Sequence, residues 1–263
     1  MHWLLQESLF SEAGFLKLLD ALDRLELPYS IHKVIPFVGT LIPNPDLPPG
    51  SVIVMGSYSM AHEAQRQGWK PGSFLNENLD MRVQLEHWGD QMLNCDSLQV
   101  PFAEVPQCQP RFFLRPAEDS KAFTGKVLTW AEFKPWQDKV LALGDNEGGT
   151  LNAATPVIWA PVKEILREYR LWIVNDKVVT GSLYKIGGRV HYDALVDDGV
   201  IKFAEELASS WSPIGAYVMD VADTPEGYRV IEVNNLNSAG FYAADLMRLV
   251  LALEDLCEKT SQG

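Results

Sequence analysis

The stretch from Gly215 to Asn234 constrains the fold of this chain more than any other. Gly215 to Ala222 (GAYVMDVA) and Tyr228 to Asn234 (YRVIEVN) are two apolar runs separated by Asp223-Thr224-Pro225-Glu226-Gly227, a turn composition. The pair reads as an antiparallel hairpin. Its first strand, Tyr217-Val218-Met219-Asp220-Val221, holds one carboxylate in an otherwise apolar run, and a buried carboxylate is costly unless something cationic satisfies it. On the second strand, side chains two apart share a face, so Glu232 and Asn234 project to the same side. An Asp converging with a Glu-x-Asn gives a compact set of hard oxygen donors, which suits magnesium or manganese that also takes oxygens from a nucleotide phosphate. The competing readings are structural: an ion pair of Asp220 with Arg229, and Asn234-Asn235 as a plain strand end.

Bulk properties narrow the remaining classes. With 263 residues, 47% apolar and 22% charged, the chain can form one large domain or two or three small subdomains around an ordinary core. A formal charge of −13 disfavours a nucleic-acid partner, because nonspecific affinity for a phosphate backbone comes from lysine and arginine. No window reaches the roughly 18 apolar residues of a bilayer span, and Met1-His2-Trp3-Leu4-Leu5-Gln6-Glu7 lacks the basic start of a signal peptide, so no membrane partner is expected. Cys95, Cys108 and Cys257 are odd in number and widely separated, which indicates neither a disulfide framework nor a zinc site and fits a reducing cytoplasm. There is no Gly-x-x-x-x-Gly-Lys-Ser/Thr loop and no Gly-x-Ser-x-Gly elbow, and His2, His32, His62, His87 and His191 are scattered.

The first hundred residues read as a loose α/β unit. Helices are expected over Phe15–Leu25, Tyr58–Gln67 and Met81–Leu93, a buried strand over Ser51–Ser57, and a loop over Pro43–Gly50. From about residue 110 the pattern becomes strand-rich. Arg111–Pro116, Pro156–Ile165, Tyr169–Val174 and Lys177–Tyr184 are strand candidates, the last two joined by the tight turn Asn175-Asp176. Ala117–Val127 reads as a polar loop, and Trp130–Leu143, Val200–Ser209 and Ala243–Cys257 as helices, with Gly144–Gly149 as a break.

The order strand-Asp220, turn, strand-Glu232-Val233-Asn234, then Asn237-Ser238-Ala239-Gly240-Phe241, resembles the end of the ATP-grasp fold. There an acidic residue and a Glu-x-Asn motif hold the metals that bridge the nucleotide phosphates. Upstream, Glu168-Tyr169-Arg170 is similar to the Glu/Asp-x-Arg signature of that superfamily, and Ala160–Ile165 stands where its adenine-holding hinge would lie. Arg115 matches the position of a phosphate-contacting basic residue, commonly lysine in better-known members, and Ser120–Lys126 that of the phosphate-covering loop. The arginine resembles a clade described mainly from phages and bacteria and named for two conserved arginines and a lysine, matched here to Arg115, Arg170 and Lys185.

The similarity covers about residues 110 to 245, and the first hundred residues fit a pre-ATP-grasp domain only by position and α/β character. It implies an α/β (α+β) fold with two subdomains gripping ATP, divided as residues 1–105, a lid over 106–165 and a metal-binding part over 166–263. It implies Asp220, Glu232 and Asn234 as ligands of Mg2+ (or Mn2+), and ATP contacts from Arg115, Lys121, Lys163, Glu164, Ile165, Glu168, Arg170 and Lys185, the hinge residues mainly through backbone. Arg170 and Lys185 would be the catalytic cations. Arginine offers a planar fork to phosphate oxygens, while pairing of Arg170 with Glu168 or Glu164 is the competing reading. The implied activity is that of an ATP-dependent carboxylate-amine ligase acting through an acyl phosphate on peptide or amino-acid substrates. A phosphotransferase and a non-catalytic nucleotide-binding module are the alternatives, and homodimerisation is left open.

Overall fold

The structure, a computed structural model, describes residues 1–263 except 13, 36–37, 76–80, 108–109, 118–121, 144–150 and 262–263. The chain forms two compact units, Met1–Glu77 together with Ile165–Gly263, and Asn78–Glu164.

The first unit opens with β1 (His2–Gln6), α1 (Phe15–Arg24), β2 (Tyr29–Val34), β3 (Leu41–Ile42), β4 (Val52–Met55), α2 (Tyr58–Gln67) and β5 (Pro71–Gly72). The strands make one sheet in the order β3-β2-β1-β4-β5, with β1 parallel to both β2 and β4. Trp3, Leu4 and Leu5 of β1 and all four residues of β4 are buried, the continuous apolar run of a parallel strand covered on both faces. The sequence pattern revealed β4 but neither β1 nor β2, whose runs HWLLQ and YSIHKV mix polar and apolar residues without clean alternation.

The second unit contains α3 (Met81–Trp88), β6 (Leu98–Pro101), β7 (Phe112–Pro116), β8 (Lys126–Leu128), α4 (Trp130–Leu143) and β9 (Pro156–Pro161). Its sheet is antiparallel, in the order β6-β9-β7-β8. Phe133 and Val140 of α4 pack with Phe102, Phe112, Leu114 and Val157. Several details differ from the sequence pattern: β9 stops at Pro161 rather than Ile165, and α3 at Trp88 rather than Leu93. The sheet begins ahead of residue 106, because β6 is its edge strand, and β8 occupies the end of the stretch read as a polar loop.

The first unit resumes with β10 (Arg167–Val174), β11 (Lys177–Ile186), β12 (Arg189–Asp193), α5 (Asp198–Ser210), β13 (Ala216–Thr224), β14 (Gly227–Asn234) and α6 (Leu246–Ser261). These strands form an antiparallel sheet in the order β12-β11-β10-β13-β14. Asn175 and Asp176 take φ of 49° and 62°, the paired left-handed values of a two-residue hairpin turn. Trp172 and Val174 of β10, with Ala216 and Val218 of β13, join a core that includes Trp3, Leu5, Phe15 and, from α6, Leu249, Val250 and Leu253. Tyr169, on the opposite face of β10, reaches Asp197 at the start of α5. Among the described residues no helix is long and apolar enough to cross a membrane.

The two sheets of this unit are stitched together just beyond β14. The Gly56 N–H donates to the Asn237 carbonyl at 2.8 Å, and Asn237 Nδ2 donates back to the Gly56 carbonyl at 2.8 Å. Asn235 Nδ2 donates to the Tyr58 hydroxyl at 2.9 Å, and within the parallel-sheet part the Ser57 N–H donates to Gln6 Oε1 at 2.7 Å. A Cβ on Gly56 would lie 2.6 Å from Met60 Sδ and 2.8 Å from Gln6 Cβ. Gly56→Ala should therefore destabilise the protein by about 1–3 kcal/mol in urea denaturation, and an unchanged midpoint would contradict the tight fit.

Acid should weaken the same unit through His2. The Nε2 atoms of His2 and His32 each lie 2.8 Å from Ser30 Oγ. Burial, then His32, then the chain's amino terminus hold His2 below its ordinary value of 6.5. The unfolded chain then binds the proton more readily than the folded one, so the contribution of His2 to stability is intact above that value and declines as pH falls below it. Denaturation midpoints measured from about pH 7 to about pH 5.5 should fall, and His2→Phe should flatten the slope.

Candidate functional site

Register assembles a row of polar side chains across the antiparallel sheet. Arg170 stands opposite Asp220, and Asp220 opposite Glu232, while Val218 opposite Asn234 puts that amide on the same face. The face is divided along its length. At one end Trp172, Val174, Val218 and Ala216 enter the core, and at the other Glu168, Arg170, Asp220, Glu232 and Asn234 replace them.

The Arg170 guanidinium grips Asp220 with two parallel bonds, Nε to Oδ1 and Nη2 to Oδ2, both 2.8 Å. The side chains are only 12% and 3% exposed, so this is a buried bidentate pair. Burial pushes the Asp220 carboxyl above the usual carboxylate range, with the guanidinium opposing and Glu232 and Glu168 adding to the push. For Arg170, burial works against the charged form, but Asp220 outweighs it and leaves the guanidinium more firmly protonated than usual. Asn234 Nδ2 lies 3.4 Å from Asp220 Oδ2 and 3.2 Å from Glu232 Oε1, bridging the two carboxylates.

Beside this row, Glu168 stands opposite Lys185, whose Nζ is 2.7 Å from Glu168 Oε1. The register shifts between Glu168 and Tyr169, which face Lys185 and Leu183, so Tyr184 is an extra residue on β11. Consecutive strand residues normally point to opposite faces, yet this bulge lets Tyr184 and Lys185 reach the same carboxylate: the Tyr184 hydroxyl donates to Glu168 Oε2 at 2.8 Å. Burial, then Asp220 and Glu168, raises the Tyr184 phenol far above its ordinary value, which keeps it protonated as a donor.

Six of the residues expected from sequence thus converge: Glu168, Arg170, Lys185, Asp220, Glu232 and Asn234. Arg115, Lys163 and Glu164 belong to the other compact unit, Ile165 begins the resumed part of the first, and Lys121 lies outside the described residues. Arg115, on β7, places its Nε 3.4 Å from the Pro116 carbonyl, and Lys163 pairs with Asp96. The alternative partners are not adopted. Arg229 donates to the Tyr228 carbonyl rather than to Asp220, and Arg170 pairs with Asp220 rather than with Glu168 or Glu164. Sequence reasoning missed Tyr184, Tyr192 and Tyr242, which stack beside Arg170.

Among the described residues no group of three or more His, Cys, Asp or Glu side chains is arranged to hold a metal ion. A cation here would rest on Asp220 and Glu232, with the Asn234 amide and the oxygens of a bound ligand completing its shell. The residues fit that demand. Each carboxylate oxygen has two acceptor directions, so the guanidinium leaves one free on each Asp220 oxygen, and a turned Asn234 amide would direct Oδ1 to where Nδ2 now points.

The sequence matches, over residues 47–253, the ATP-grasp domain of family 3 in the clade named for two arginines and a lysine, and the chain belongs to that family. Among solved structures it is similar to D-alanine–D-alanine ligase from Bacillus anthracis complexed with ATP, at TM-score 0.66 and 11% identity, covering 100% of this chain and 98% of that one. A RimK domain ATP-grasp protein from Sphaerobacter thermophilus gives TM-score 0.64 at 14% identity over 95% and 98% of the two chains. The ATP-grasp ligase PsnB, complexed with precursor peptide PsnA2 and AMPPNP, gives 0.58 at 14% identity over 97% of each. Identities this low speak to the fold, which is the α+β ATP-grasp architecture expected from the motif order. No curated protein matches the sequence.

Arg170→Met would strand a buried carboxylate, so it should destabilise the protein by about 3–5 kcal/mol. Adding Asp220→Leu to the same protein should recover most of that loss in denaturant titration. Equal stability of Arg170→Met and the parent would show that the pair is not the anchor of this face.

Proposed function

We propose that this ATP-grasp chain is an ATP-dependent ligase that joins a carboxylate to an amine, with MgATP held at the row Arg170, Asp220, Glu232 and Asn234. The observation that carries the reading is the convergence of that row with Glu168 and Lys185 on one sheet face. Such a set offers oxygen donors to a cation and N–H donors to a polyphosphate within one small area.

In this reading the residues divide the labour. Asp220 orients Arg170 through Nε and Nη2, leaving the remaining guanidinium N–H groups for phosphate oxygens. Glu168 holds Lys185 close by through one oxygen and Tyr184 through the other, so the ammonium is aimed before nucleotide arrives. Mg2+ (or Mn2+), bound by Asp220, Glu232 and Asn234, would neutralise phosphate charge during transfer. The γ-phosphoryl group passes from ATP to the substrate carboxylate, releasing ADP. The amine then attacks the acyl carbon, forming the amide as the C–O bond breaks and phosphate leaves. Positioning and charge neutralisation suffice for both steps, with no protein nucleophile.

Family resemblance adds Arg115, Lys121 and the hinge Lys163-Glu164-Ile165 as further ATP contacts. The similar ligase structures were obtained with ATP, and with Mg and ADP, which supports the cofactor pair. A precursor peptide bound to PsnB supports peptide or amino-acid substrates. The cytoplasm is the proposed setting, in keeping with the free thiols of Cys95 and Cys257.

Asp220→Asn and Glu232→Gln should each weaken MgATP binding in calorimetry by more than the roughly tenfold typical of losing an outer-shell partner of a metal. Parent-like affinity in both variants would reject the site. Incubation of the protein with ATP, magnesium and pooled amino acids, read by mass spectrometry, should give ADP and an amide-bonded product. A stable phosphorylated acceptor would instead mark a phosphotransferase.

A further inference from the structure

Tyr242 combines two features that a packing role does not explain. Its backbone is left-handed, at φ 50°, a conformation that bulky side chains rarely adopt and that concentrates at functional sites. Its ring is the middle of a three-tyrosine stack. Tyr184 lies 5.2 Å away at 24°, and Tyr192 lies 5.0 Å away at 15°. The stack runs outward from the site, and its last member is half-exposed on β12, a strand with every residue exposed. A stack that ends in solvent fills no core. It does bring β11, β12 and the loop after the Glu-x-Asn strand to one point beside Arg170.

The Arg170 Cζ lies 4.8 Å from the Tyr242 ring centroid and 5.7 Å from that of Tyr184. The two bonds that Arg170 donates to Asp220 fix the guanidinium along its edge but leave it free to swing about that edge. A ring packed against the group removes the swing, and its π-face also favours the cation. We infer that Tyr242 is a positioning residue, which holds the Arg170 guanidinium at the angle the nucleotide phosphate requires. The left-handed backbone at Tyr242 and its ring contact with the guanidinium occur at the same residue.

This inference rests on the MgATP reading of the site, and the test separates the two. Affinity for magnesium and a non-hydrolysable ATP analogue would be measured calorimetrically for the parent, Arg170→Met, Tyr242→Asn, Tyr242→Phe and Tyr192→Leu, alongside thermal melts. Asn tolerates left-handed backbone, so Tyr242→Asn removes the ring while permitting the turn. Tyr242→Asn should weaken binding by about tenfold, Tyr242→Phe should restore it to within about twofold, and Tyr192→Leu, at the solvent end, should cause a loss of about two- to threefold. A lower melting temperature with parent-like affinity in Tyr242→Asn would show a merely structural ring and overturn the inference. If Tyr242→Asn fails to fold, parent-like affinity in Tyr192→Leu overturns it. Parent-like affinity in Arg170→Met would instead overturn the MgATP reading itself.

Discussion

A carboxylate in an apolar strand needs a cation, and nearly everything at this site follows from where that cation comes. Arg170 supplies it from the neighbouring strand, in a side-on pair with both groups nearly buried. Removing either partner would leave a charge with little access to water, so the pair resists any rearrangement that separates β10 from β13. A slip of one residue in their register would turn one member of the pair to the opposite face. The ion pair therefore acts as a pin on strand alignment. Once it is set, the positions of Glu232 and Asn234 follow from the hairpin and its one-residue register shift between Asp220 and Val221.

Hydrophobic burial supplies the stability within which this pin can operate. The same sheet face that carries Arg170 and Asp220 also carries Trp172 and Val218 one step further along, inside a core shared with β1, α1 and α6. The polar end is thus an extension of a packed surface, and its side chains inherit the rigidity of that surface. The Asn237 bridge to Gly56 continues the same logic beyond β14, because it joins the Glu-x-Asn strand to the parallel sheet through two backbone-directed bonds.

Much of the fold and the core of the site could be read from residues alone. A lone Asp in Tyr217–Val221, a Glu-x-Asn two residues apart and a Glu-x-Arg ahead of an apolar strand are local patterns, and local patterns survive in a sequence. Pairing between strands does not. Arg229 stands nearer to Asp220 in sequence than Arg170 does, yet the partner came from fifty residues away, because only the sheet order decides which strand lies beside which. β1, β2 and β12 were invisible for a related reason: each mixes polar and apolar residues, and its strand character comes from its neighbours. The three tyrosines were equally hidden. Tyr184 and Tyr192 come from adjacent strands and Tyr242 from a distant loop, and a positive φ at a tyrosine leaves no mark on the residues around it.

The extra residue at Tyr184 has a consequence of its own. A ladder of alternating side chains has a parity, and a bulge is a change of parity written into one strand. From Thr180 to Leu183, past an earlier shift at Val179, β11 counts in step with β10; beyond Tyr184 the count is offset by one more, and Lys185 arrives on the face that alternation from Leu183 would have denied it. The hairpin of β11 and β12 is therefore sensitive to length in a way that its exposed surface conceals. Chains that differ by one residue ahead of the Gly187-Gly188 turn would keep the strand and its hydrophobic count yet present a different set of charges to Glu168. Among relatives, a gap at this point would signal altered chemistry sooner than many substitutions would.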